Sequence, residues 1–107
     1  MTYRPLYTSR FKKNYETFQN MQPRIDRIVA QVIEDPYIRT EQLTEKGKLN
    51  LRGCRSARVG RNFRIIFVIC EECMKEPDCE YCPCESLPPH TVVFLTVGPH
   101  ERAYSMS

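Results

Sequence analysis

No apolar run in the chain is long. The longest strongly apolar stretch, IIFVIC at residues 65–70, falls far short of a bilayer-spanning helix, so no membrane association is expected. The N-terminal MTYRPLYTSRFKK lacks the apolar core of a signal peptide, which predicts a cytoplasmic protein. Internal repeats are missing, and so is any linker able to divide domains. With 107 residues, one small domain over 1–107 is expected, of the size often helped by a metal or by disulfides. Hydrophobic residues at 41% and charged residues at 27% fit a soluble globular domain.

Basic residues nearly vanish from one stretch. Residues 70–90 hold Lys75 against six acids, Glu71, Glu72, Glu76, Asp78, Glu80 and Glu85. Setting that stretch aside leaves 15 of the 16 basic residues and 7 of the 13 acidic ones, a body of about +8. A basic body with an acidic appendage suits a polyanionic partner that touches the first and avoids the second. Ordinary solvated surface charge accounts for the same composition equally well.

What is present is punctuated secondary structure. YRPLYTS reads as a first strand ending at a helix cap, Thr8 or Ser9. Phe11, Tyr15 and Phe18 follow at helical spacing. Pro23 suits the first turn of a second helix, whose stripe Ile25, Ile28, Val29, Val32 and Ile33 is stopped by Asp35-Pro36. These stripes make a helical hairpin with a buried face. Residues 37–53 are polar, punctuated by Gly47 and Gly53, and read as loop with room for a short strand.

The period then changes to two. RSARV puts Ala57 and Val59 on one face and Arg58 on the other, and FRIIFVI and TVVFLTV are β-branched, aromatic runs of central strands. GRN between the first two strands predicts a tight hairpin. The expected fold class is α+β: an N-terminal strand and a helical hairpin packed on one face of a mainly antiparallel sheet. A cysteine-rich insertion, residues 70–90, lies between the last two strands. The other sheet face is expected to be open, with Arg58 and Arg64 on or beside it.

Five of the six cysteines fall within CEECMKEPDCEYCPC, residues 70–84. Cys70 with Cys73, and Cys79 with Cys82, form two CxxC pairs, each able to present two sulfurs from one tight bend. Together they predict a structural zinc ion, held in a closed tetrahedron without an open catalytic position. Cys84 is the natural substitute for Cys79 or Cys82. Reduced thiols, or disulfides formed on oxidation, are the other readings of the same residues. Cys54 reads as a small buried residue, and His90, after Pro88-Pro89, as the opening of a strand. The segment thus reads as a clasp on a long loop.

Three clusters could carry chemistry. Lys46, Lys48, Arg52 and Arg55 stud the approach to the sheet. Arg58, Arg61 and Arg64 lie in ARVGRNFRIIF, and His100 and Tyr104 in VGPHERAY after the last strand. ARVGRNFRIIFVI followed by TVVFLTVGPHERAY resembles the C-terminal half of the RelE/ParE toxin superfamily. The element order and the DP ending the second helix agree, so the resemblance spans about residues 3–104 apart from 70–90.

The resemblance implies a small toxin of a type II toxin–antitoxin system, held inactive by a cognate antitoxin protein. RelE-type members are endoribonucleases that cut messenger RNA on the ribosome; ParE-type members poison DNA gyrase. It assigns catalytic roles to Arg58, Arg64, His100 and Tyr104, leaving open whether Arg58 or Arg61 reaches the phosphate. Lys46, Lys48, Arg52, Arg55 and Arg61 are the expected RNA-binding residues. Such cleavage needs no catalytic cofactor: the ribose 2′-OH attacks phosphorus while His100 moves a proton and arginines hold the phosphate. Tyr104 can stack on a base or share in proton transfer. The competing readings are a ParE-like gyrase inhibitor and a non-catalytic, zinc-clasped protein-binding module.

Overall fold

The computed structural model describes residues 2–46, 49–75, 88, 90–99 and 103. Its elements are strand β1 (Arg4–Tyr7), helix α1 (Ser9–Thr17), a single 3-10 turn (Gln19–Met21) and helix α2 (Gln22–Glu34). Three short strands follow, β2 (Thr40–Gln42), β3 (Glu45–Lys46) and β4 (Leu49–Asn50). Then come β5 (Cys54–Val59), β6 (Phe63–Ile69), the one-turn helix α3 (Cys70–Cys73) and β7 (Thr91–Pro99). Five strands form one sheet in the order β1-β7-β6-β5-β2, with β1 parallel to β7 and the other pairs antiparallel. Strands β3 and β4 pair separately. This is the expected α+β layer.

Thr8 starts α1 and fastens it to the sheet. Its side-chain oxygen accepts from the Phe11 N–H (3.1 Å) and its hydroxyl donates to the Leu95 carbonyl (2.6 Å). One turn on, the Asn14 amide donates to the Thr96 hydroxyl at 2.9 Å. Phe18 falls just past the helix, as its C-cap, and meets the Phe63 ring edge-on at 5.0 Å. In α2, Pro23 sits in the first turn, where its missing N–H costs no hydrogen bond. Ile25, Val29 and Val32 are buried, and the extended backbone of Asp35, required before Pro36, ends the helix.

The sheet divides two cores. On the helical side, Phe11, Ile25 and Val32 pack with Val59, Ile65, Phe67, Phe94 and Val97. On the other side, Ile66, Val68, Val93 and Leu95 pack with Leu43, Leu51, Cys54, Cys70, Cys73 and Ala103. The expected open face is therefore covered over much of its area. The reason is nonlocal: the polar loop supplies Leu43 and Leu51, and α3 folds its two thiols back onto the same face. This explains why β6 and β7 read as continuous apolar runs, as strands buried on both faces do. Among the described residues, the cover leaves free the end of the sheet that carries Arg58 and Arg64.

A candidate phosphate-binding cleft

Alternation in β5 turns Arg58 outward after the buried Ala57. Its antiparallel partner on β6 is Arg64, whose partner on β7 is Gly98. Directly paired residues share a sheet face, so two arginines lie side by side, next to the backbone of Gly98. Like charges directly opposite each other destabilise a β pair, which an anion bound between them would relieve. Arg64 is half-buried and tethered: Nη1 donates to the Phe63 carbonyl at 2.9 Å and to the Arg61 carbonyl at 3.4 Å. The turn that presents these carbonyls begins at Gly60, whose φ of +68° is one a side chain would resist.

The two arginines line a cleft of about 550 Å³ between the end of β5, the start of β2 and one side of α2. Arg27 and Gln31 line it from α2, Ile38 and Arg39 from the approach to β2, Glu41 from β2 itself, and Ser56 from β5. Four arginines and one acid, Glu41, thus border the same cleft. Among the described residues, no carboxylate pairs with Arg27, Arg39 or Arg58. Such a concentration of unneutralised positive charge binds anions, and arginine forks match phosphate oxygens in particular. Of the expected residues, Arg58 and Arg64 meet here, and Arg61 stays at the exposed hairpin turn outside the lining. Arg27 and Arg39 carried no sequence signal, since nothing local distinguishes them from other exposed arginines.

Arg55 is set apart. Its Nε lies 3.0 Å from both oxygens of Glu72, in a pair whose side chains are 14% and 16% exposed. Nη1 donates to the Thr40 hydroxyl (3.2 Å), and the guanidinium lies 5.0 Å from the centre of the Tyr37 ring. Arg52 is half-buried and its N–H donates to the Asn50 side chain at 3.1 Å. Lys46 ends β3, its backbone paired with Leu49. Lys48, His100 and Tyr104 lie outside the described residues.

The sequence of α3, CEEC, splits its turn in two. Cys70 and Cys73, three apart on one side, are buried in the second core. Glu71 and Glu72 point the other way. Glu71 accepts from the Tyr3 hydroxyl (2.9 Å), the His90 N–H (2.9 Å) and, at 3.4 Å, the Tyr37 hydroxyl. Burial first, and Glu71 second, hold the phenols of Tyr3 and Tyr37 above the usual tyrosine value. His90 opens β7 as expected, its carbonyl accepting from the Arg4 N–H at 2.8 Å. Two thiols on one turn match half of a tetrahedral zinc site. Among the described residues no third ligand joins them, and Cys79, Cys82 and Cys84 lie outside those residues.

No protein-family model matches the chain, and no curated protein does. Solved structures do. The RelBE2 toxin–antitoxin complex from Mycobacterium tuberculosis is similar over 92% of each chain, with a TM-score of 0.66 and 18% identity. The DinJ–YafQ toxin–antitoxin complex of E. coli is similar over 97% of this chain and 99% of the other, with a TM-score of 0.62 and 13% identity. A copper-bound mutant toxin from Helicobacter pylori follows at 0.59 and 10% identity, over 94% and 97% of the two chains. Similarity at this level of identity speaks for architecture. The chain has the RelE-like toxin fold, complete from β1 to the end of β7.

Proposed function

We propose that the chain is the toxin of a type II toxin–antitoxin system, a ribosome-dependent endoribonuclease that cuts messenger RNA in the cytoplasm. The observation that carries this reading is the cleft that Arg58 and Arg64, adjacent across one ladder, share with Arg27 and Arg39. Arg58 and Arg64 hold the scissile phosphate and stabilise the charge that builds on its oxygens as the 2′-OH attacks. His100 follows Pro99 directly, and β7 ends beside Arg64, which favours His100 as the group that moves the proton. Tyr104 stacks on a base beside it. Solved structures of this fold include complexes with antitoxins, which favours a cognate antitoxin as protein partner.

Cys70, Cys73, Cys79 and Cys82 would hold a structural zinc ion. Bound there, it would cross-link the loop ahead of β7 and take no part in cleavage.

The test is growth on induction, paired with cleavage of ribosome-bound message by purified protein. Cleavage should be slowed about 10²–10⁴-fold in His100→Ala, as expected for loss of a general acid or base. Full toxicity from the His100→Ala, Tyr104→Ala double variant removes the nuclease reading. Gyrase-dependent DNA damage on induction would put a ParE-like inhibitor in its place.

A further inference from the structure

The pairing of β2 with β5 stops at Thr40 opposite Ala57, but β5 continues through Arg58 and Val59. One more step of the same ladder would set Arg39 opposite Arg58. Arg39 does not take that place: its φ is +58°, a left-handed backbone that non-glycine residues rarely adopt. Hydrogen bonds on both sides hold it there. The Ile38 N–H donates to the Asp35 carbonyl at 3.3 Å, and the Thr40 hydroxyl donates to the Pro36 carbonyl at 2.6 Å. Strain of this kind persists where the surroundings over-determine it, and it concentrates at ligand sites. Its effect here is to peel the chain away from β5, leaving the cleft open between Arg39, Arg58 and α2.

The charge is too large for one phosphate. Arg27, Arg39, Arg58 and Arg64 against Glu41 leave a surplus that one phosphodiester, with a single negative charge, offsets only in part. Arg58 and Arg64 are adjacent across one ladder, whereas Arg39 and Arg27 border the cleft on its β2 and α2 sides. Neighbouring strands lie about 4.8 Å apart, so Arg58 and Arg64 are about that far apart at the backbone, and Arg39, off the ladder, lies beyond Arg58 on the β2 side.

From this we infer that Arg27 and Arg39 form a second phosphate position, so that the cleft grips two successive phosphates of a single RNA strand. The inference rests on the nuclease reading and names two positioning residues for it. Arg39 fixes where the strand leaves the sheet edge, and Arg27 closes on it from α2.

The experiment measures binding of non-cleavable 2′-O-methyl oligonucleotides with hydroxyl ends, by competition against a labelled RNA at low salt. A dinucleotide carries one phosphodiester and a tetranucleotide three. Arg39→Gly relieves the backbone strain as it removes the guanidinium, so its melting temperature should hold or rise. Its affinity for the tetranucleotide should fall about tenfold. Arg27→Ala should behave likewise. Both variants should lose no more than about twofold on the dinucleotide, and each should lower the salt slope for the tetranucleotide by about 0.7. Arg58→Ala should weaken both ligands. Equal effects of Arg27→Ala and Arg39→Gly on the two ligands, or no effect on either, would overturn the second position while leaving the nuclease reading intact. Failure of the unmodified protein to bind any oligonucleotide would overturn the second position as well, and cleavage of ribosome-bound message would then judge the nuclease reading on its own.

Discussion

Tyr3 donates its hydroxyl to Glu71, 68 residues further along the chain, at 2.9 Å. This bond ties the residue just before β1 to the turn that carries the first cysteine pair. Because the phenol is held well above the usual tyrosine value, the folded state favours its neutral form. In the unfolded chain tyrosine ionises near pH 10. A raised native value therefore contributes stability that is complete below about pH 10 and is lost as pH rises above it. Tyr3→Phe should cost about 1 kcal/mol at neutral pH and flatten the alkaline decline. Urea midpoints from pH 7 to 11 give the comparison. An unchanged alkaline decline in the variant would mean that Tyr3 is not the group responsible.

The Arg55–Glu72 pair should behave as an internal anchor. Glu72→Ala strands a largely buried guanidinium, with an expected loss of about 2–3 kcal/mol. Replacing both members, Arg55→Met with Glu72→Leu, should recover most of it, since an apolar pair of similar volume escapes the desolvation cost. RNA cleavage by the double variant should match that of the parent. A double variant that is stable yet inactive would return Arg55 to the nucleic-acid contact expected from sequence.

For the metal, elemental analysis of protein purified without added zinc should find one ion per chain. Cys70→Ser should lower the melting temperature and expose residues 70–90 to protease, because the loop loses its cross-link. The folded fraction should still cut RNA. Zinc near zero with reactive thiols throughout the segment would refute the site, and lost cleavage at full stability would place the loop within the active centre.

Arg58→Ala should slow cleavage of ribosome-bound message by about 10²–10³-fold, the usual consequence of removing a group that stabilises transition-state charge. Arg64→Lys should also be impaired, since an ammonium replaces the planar fork that is tied to the Phe63 carbonyl. Ribosome binding should survive both changes, because phosphate contacts are distributed over many bases. Unimpaired cleavage by Arg58→Ala would move the scissile phosphate elsewhere.

Local pattern was enough for most of the fold. The stop at Asp35, the strand over Phe63–Ile69 and the hairpin at Gly60 all follow from spacing and turn chemistry within a few residues. Alternation also placed Arg58 opposite in sense to Ala57, as found. The second core was illegible because Leu43 and Leu51 belong to a polar stretch, and only their distant partners on β6 and β7 mark them as buried. Arg27 and Arg39 were missed for a similar reason. An arginine on a helix surface and one in a turn have no local feature that points to a shared cleft. The Arg55–Glu72 pair was illegible in the same way, since the acid lies 17 residues further along the chain.

The last of the described strands to be synthesised, β7, lies inside the sheet, between β1 and β6. The first strand and helix therefore wait for their partner. Thr8 reaches its Leu95 carbonyl across 87 residues. At a synthesis rate of roughly 5–20 residues per second, the early elements spend several seconds without the strand that completes their core. Such long-range pairing makes folding slow, and the nascent chain is exposed to whatever binds its unfinished edges. Strand β6, which carries Arg64 at the cleft, gains its second neighbour only when β7 has left the ribosome and inserted.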